Sequence, residues 1–204
     1  MIRNKLTDEN MQTYGGFQWE IGKVYEIDID RQGNNMPLCS YSWFHVYFHP
    51  LIAVLMNPIH ADFKNPRLFK CSCSGYHQNN NGLKEGFTKV KLLKELKIPE
   101  ITLTQKVAFG ILCAKKVYKE RKWNKWANEW LKGKNRSWDT AYIVCSATYV
   151  ACSAAYAARS AADAACSSTM AACSAARAVC IAVSTAHYNN NINLIALAKR
   201  ALKY

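Results

Sequence analysis

Acidic residues are scarce in this chain. Only 14 Asp and Glu stand against 27 Lys and Arg, giving a formal charge of +13 over 204 residues. The deficit is local. Residues 1–103 carry 12 basic and 10 acidic side chains, residues 104–136 carry 10 and 2, and residues 137–204 carry 5 and 2. One short segment therefore lacks acidic partners of its own, which matters more for recognition than the global charge. Strongly apolar runs of membrane-spanning length are missing as well. The 19 uncharged residues Thr140–Ala158 are mostly Ala, Ser, Cys, Thr and Tyr. Their length suits a membrane span, but so few Leu, Ile and Phe supply little driving force for insertion, and no membrane partner is expected.

Other absences narrow the chemistry. Met1–Asn10 is polar and shows no basic–apolar–small leader, so a cytoplasmic location is expected. Nine cysteines are an odd number, which rules out complete pairing within the chain. They read as reduced, small, buried residues of a cytosolic protein. His45, His49 and His77 have no Asp or Ser at a spacing that marks a catalytic set. Cys71-x-Cys73 would share one strand face, with His77, Cys39, His45 or His49 as further ligands, but the two to four intervening residues usual for zinc are absent. No metal, cofactor or catalytic residue is expected. His45 is the best single polar candidate for a site.

What the sequence does have is a seven-residue repeat of small side chains. From Cys145 it runs CSATYVA, CSAAYAA, RSAADAA, CSSTMAA, CSAARAV, CIAVSTA. Its first position holds Cys145, Cys152, Arg159, Cys166, Cys173 and Cys180, so five of the nine cysteines fall on one register. A seven-residue period places each column on one stripe of a helix, and Ala, Ser and Cys let another backbone approach closely. The stripe would pack inside the monomer, or pair with a second copy in a homo-oligomer. A single helix from Trp138 to Tyr188 would be about 75 Å long. A break is therefore expected, at Ser167-Ser168-Thr169, giving a helical hairpin. The fifth position (Tyr149, Tyr156, Asp163, Met170, Arg177) is the polar-tipped column and the expected exposed edge.

The remaining pattern is mixed. Residues 1–12 read as a loose polar lead. Phe17–Asp30 reads as strand, turn, strand, with Phe17, Trp19 and Ile21 alternating. Arg31–Pro37 is a loop, and Pro50 is placed to begin a short helix. Asn57-Pro58 and Asn65-Pro66 mark turns. Leu68–Ser74 and Phe87–Leu93 read as strands flanking an Asn-rich loop at Gln78–Gly82. Thr104 is the expected N-cap of a helix running toward Tyr118, Ser137 that of a later one, and Ile192–Leu202 a closing amphipathic helix. The fold class is α+β: a small mixed sheet domain over 1–98, then an Ala-rich helical domain over 104–204.

Lys115–Arg136 interleaves nine cations with Trp123, Trp126 and Trp130. Such interleaving suits nucleic acid, through stacking and phosphate neutralisation. The spacing i, i+3, i+7, however, puts the three indoles on one helical face, with Lys122, Lys125 and Lys132 mostly off it. The expected arrangement is a buried Trp stripe with a solvated basic back. The candidate partner-binding cations are Lys116, Lys119, Arg121, Lys122, Lys125 and Lys134.

Two resemblances add context. Gly16–Glu26 (GFQWEIGKVYE), Leu38-Cys39, Trp43-Phe44-His45, His49-Pro50-Leu51, the strand Arg67–Gly75 and Lys89–Leu96 (KVKLLKEL) together resemble an uncharacterised domain of phage and bacterial proteins. Cys113–Val117, Trp130–Gly133 and Ala186-His187-Tyr188, around an Ala-rich run, are similar to bacterial immunity-protein families of helical type. These imply phage or mobile-element biology. The first family's E-V-E strand resembles the Glu-x-Glu pair of ADP-ribosyltransferases, but Lys70 and Ser72 stand at the two acidic positions here, and lysine accepts no hydrogen bond. A degenerate nucleotide pocket would use Phe17, Tyr25 and His45. The leading expectation is a non-enzymatic phage or mobile-element protein that binds a host protein or nucleoprotein complex as an inhibitor, immunity or anti-defence factor. Direct nucleic-acid binding through 115–136 is the alternative.

Overall fold

The computed structural model describes residues 1–28, 36–147, 153–166, 170–186 and 192–204. The chain divides into two compact units, Met1–Glu100 and Ile101–Tyr204.

The first unit is built on strands β1 (Ile2–Thr7), β2 (Gln12–Thr13), β3 (Phe17–Gln18), β4 (Val24–Glu26), β5 (Phe44–Val46), β6 (Arg67–Asn79) and β7 (Glu85–Leu96), with helix α1 (Pro50–His60) between β5 and β6. The main sheet runs β1-β6-β7-β4, with β5 also on β7. Among the described residues, the expected mixed sheet is antiparallel in every strand pair, and only the isolated Ile21–Leu92 bridge runs parallel. The cause is the long β6–β7 hairpin, which needs no crossover. Asn81 and Gly82 turn it in the left-handed region (φ 47° and 81°), a conformation that Asn tolerates and Gly favours.

Three other expectations are corrected. The polar lead is strand β1, paired with β6 from Ile2–Ser72 to Thr7–Arg67; polar residues suffice because the ladder is a backbone interaction. Asn57-Pro58 is no turn: Pro58 lies inside α1, whose end is tied down by Asn57, bonded both ways to the Phe63 backbone. The N-cap of the first helix of unit 2 is Thr102, not Thr104. Thr102 accepts from Gln105 N (3.2 Å) and Gln105 Oε1 accepts from Thr102 N (2.9 Å), a reciprocal box that Thr104 could not close with Val107.

Trp19, Val46, Phe69, Cys71, Cys73, Phe87, Val90 and Leu92 form the core of the sheet unit. Lys5 is buried with them. Its Nζ lies 4.5 Å from the Trp19 ring centroid and donates to His45 O at 2.9 Å.

The second unit holds α2 (Leu103–Val117), α3 (Arg121–Leu131), α4 (Trp138–Ala147), α5 (Ser153–Cys166), α6 (Ala171–Ala186) and α7 (Leu194–Ala201). α2 packs on α5, α6 and α7, and α5 packs on α4 and α6. Ala155, Ala158, Ala162, Ala175, Ala178 and Ala182 are buried. Among the described residues, these alanines are covered within the chain. In the cysteine column Cys145 is buried, while Cys166, Cys173 and Cys180 are only half-buried. The fifth-position column carries exposed Tyr156, Met170 and Arg177, while Asp163 accepts from Cys145 Sγ at 2.6 Å. The expected break at Ser167-Ser168-Thr169 lies outside the described residues, as do Ile29–Asn35, Tyr149, Cys152, His187, Tyr188 and the Asn189–Asn191 run. α5 ends at Cys166 and α6 begins at Ala171. α4 and α5 pack against each other, with Cys145 meeting Asp163, which the uninterrupted heptad pattern does not signal.

Candidate functional site

The basic segment folds as the end of α2, a short link and α3. Glu120 caps α3, its carboxylate accepting from Lys122 N (2.8 Å) and Trp123 N (2.6 Å). These backbone donors hold its carboxyl below the usual range. Trp123, Trp126 and Trp130 are 2%, 5% and 4% exposed, which removes them as stacking surfaces. Trp123 Nε1 donates to Ala158 O at 3.1 Å, anchoring α3 on α5. Among the described residues, the indole nitrogens of Trp126 and Trp130 have no hydrogen-bond partner.

With the indoles buried, the cations point outward. Lys116, Lys119, Arg121, Lys122, Lys125 and Lys134 are all exposed. Among the described residues none of the six forms an ion pair. Lys119 Nζ donates to Lys115 O (2.8 Å), placing a cation on the C-terminal carbonyls of α2. The segment's two carboxylates are engaged locally, Glu120 as the cap and Glu129 with Asn135. The structure also adds residues that the linear pattern does not reveal. Lys115 is held below the usual lysine range, first by burial and then by Arg200 and Lys119. Arg200 of α7 thus belongs to this positive surface. Two cations in the last turn of α7 are visible in the sequence, but not that α7 docks on α2.

In the sheet unit, Phe17 and Tyr25 come together, with ring centroids 5.2 Å apart, in a cluster with Trp19 and Phe44. His45 does not join them. Phe44 and Val46 face that core, so the residue between them points to the other side of the strand. There His45 Nε2 bonds Leu38 O, and burial, with Lys84 and Lys5 nearby, lowers its pKa to about 4. His49 caps α1 by accepting from Leu51 N. His77 stacks on Phe87 (4.4 Å) beside Glu85, which is paired with Arg3. All three histidines therefore have local structural partners. Lys70 and Ser72 lie half-buried in the middle of β6. Cys71 and Cys73 share a face with Sγ–Sγ 3.6 Å, yet among the described residues no group of three or more His, Cys, Asp or Glu is placed to hold a metal ion. Among the same residues, no helix is long and apolar enough to cross a membrane.

Residues 1–104 match the family model described as Domain of unknown function (DUF7666). The chain belongs to this family. The matched region takes in the whole sheet unit and ends within the first turn of α2, so α3 and its basic surface lie beyond it. No curated protein and no solved structure matches the chain significantly.

Proposed function

We propose that this is a non-enzymatic interaction protein of a phage or mobile element. It acts inside a bacterial host, as a binding inhibitor or an immunity or anti-defence factor, on an acidic host protein or nucleoprotein complex. The observation that carries the reading is the set of exposed cations on α3, the end of α2 and the links beside them, none of them ion-paired among the described residues. Leaving so many cations together costs mutual repulsion, which an acidic counterpart relieves. The phage and immunity setting rests on the sequence resemblances alone. The sheet unit gives the nucleotide-pocket alternative little support: His45 is turned away from Phe17 and Tyr25, and lysine stands where that chemistry needs a carboxylate.

The test is affinity capture from a bacterial host with the full chain and with Lys122→Glu/Lys125→Glu, at several salt concentrations. The reading expects a bound acidic partner whose capture falls with salt and is weakened by the double reversal. Capture that is equal for both chains at every salt concentration rejects the surface.

A further inference from the structure

Five of the six tryptophans are 1–5% exposed, and Trp138 is 57% exposed. It does not stand alone. Tyr142, one helical turn later on α4 and 51% exposed, stacks against it with centroids 4.8 Å apart and the ring planes 9° from parallel. Helical side chains tilt toward the N-terminus, so the Trp138 end of the stack lies toward the loop entering α4. That loop, Lys132–Arg136, is exposed throughout. Arg136 is committed to Trp130, bonding its carbonyl at 3.0 Å and lying 4.5 Å over its ring. Lys132 and Lys134 form no ion pair among the described residues. Four residues of chain keep the Lys134 Cα within about 15 Å of the Trp138 Cα.

We propose that Trp138 and Tyr142 are a stacking platform for the bases of a single-stranded nucleic acid, whose phosphates run toward Lys132 and Lys134. The proposal rests on the basic-surface reading and specifies its ligand. Flat, open aromatic rings beside cations are what a single strand engages: each base has a face to stack, and each phosphate has a charge to neutralise. A duplex keeps its bases stacked on one another and offers none to the rings. A second copy of this chain would set one cationic loop against another. The exposed carboxylate beside the platform, Asp139, repels phosphate and sets the side on which the strand runs.

The experiment is fluorescence anisotropy with labelled single-stranded RNA, single-stranded DNA and a duplex of the same sequence, run beside retention on heparin. It uses the full chain, Trp138→Ala, Tyr142→Ala and Asp139→Asn. Expected are binding of one or both single strands in preference to the duplex, a loss of roughly tenfold for each aromatic variant, and a gain of about twofold for Asp139→Asn from the removed repulsion. Binding also quenches tryptophan emission in the parent chain but not in Trp138→Ala. Heparin retention, a readout of charge alone, is unchanged in the aromatic variants. The platform is overturned by heparin retention without oligonucleotide binding, or by single-strand binding that Trp138→Ala and Tyr142→Ala leave intact; in both cases the basic-surface reading survives. Absence of both heparin retention and oligonucleotide binding sinks the two together.

Discussion

Gly110 of α2 lies directly against Ala175 of α6. A Cβ added at Gly110 would stand 3.1 Å from both the Ala175 Cα and its carbonyl oxygen. This is backbone-to-backbone approach, and it places the small-residue character of the second half where two helices cross. Gly110→Val should therefore destabilise the helical unit by about 1–3 kcal/mol through overpacking, lowering Tm by several degrees. A thermal melt monitored by circular dichroism checks this. An unchanged Tm would mean that α2 and α6 can separate without cost.

Lys5 gives a pH signature. Burial lowers its pKa to about 8, with the Cys71 and Cys73 sulfurs opposing the shift. Below pH 8 the folded chain carries the full cost of a buried ammonium. Between pH 8 and about 10.4 the unfolded chain still binds a proton that the folded one has released, so this group makes stability rise with pH. The cost is about 3 kcal/mol. Against this, removing the ammonium leaves His45 O without its donor and loses the Trp19 contact, a loss of roughly 1–2 kcal/mol. Lys5→Met should thus be more stable at pH 7 by about 1–2 kcal/mol, and the difference from the parent chain should shrink toward pH 10. Urea titrations at several pH values would show it.

His45 and His60 act at the acid end. Burial, with Lys84 close to both, lowers each to about 4. In the unfolded chain they titrate near 6.5. As pH falls from 6.5 to 4 the unfolded chain takes up protons that the fold refuses, so stability is lost across that window. The urea midpoint should drop between pH 6.5 and 4.5, and His45→Gln/His60→Gln should flatten the slope whatever its absolute stability. An equal slope in both chains would contradict the burial of these rings.

Much of this was legible in the sequence, and what escaped has physical causes. Trp123, Trp126 and Trp130 declare their buried face because three indoles at helical spacing outweigh the intervening lysines. Leu68–Ser74 and Phe87–Leu93 mark β6 and β7 by alternation, though both strands run longer because turn residues, not apolar ones, end the hairpin. β1 is hidden because Lys5 reads as a surface residue; only tertiary pairing with β6 buries it. Gly110 is one glycine in an ordinary helix until Ala175 lies opposite. Arg200 joins the basic surface through the docking of α7, and the Trp138–Tyr142 stack becomes conspicuous only when the other tryptophans prove to be inside.

The cap of α3 links stability to the basic surface. Glu120→Ala removes the acceptor for Lys122 N and Trp123 N and should cost about 1 kcal/mol. Amide hydrogen exchange should show faster exchange in the first turn of α3, with the sheet unit unaffected. Equal protection would mean that the carboxylate does not hold the helix start.

The most direct measurement is the salt concentration at which the full chain leaves immobilised heparin, compared with Lys122→Glu/Lys125→Glu. If the outward face of α3 is a surface for acidic partners, the parent chain is retained and the double reversal elutes at clearly lower salt, with a shallower dependence of binding on salt. Identical elution of the two chains, or no retention of the parent chain at low salt, would contradict the account.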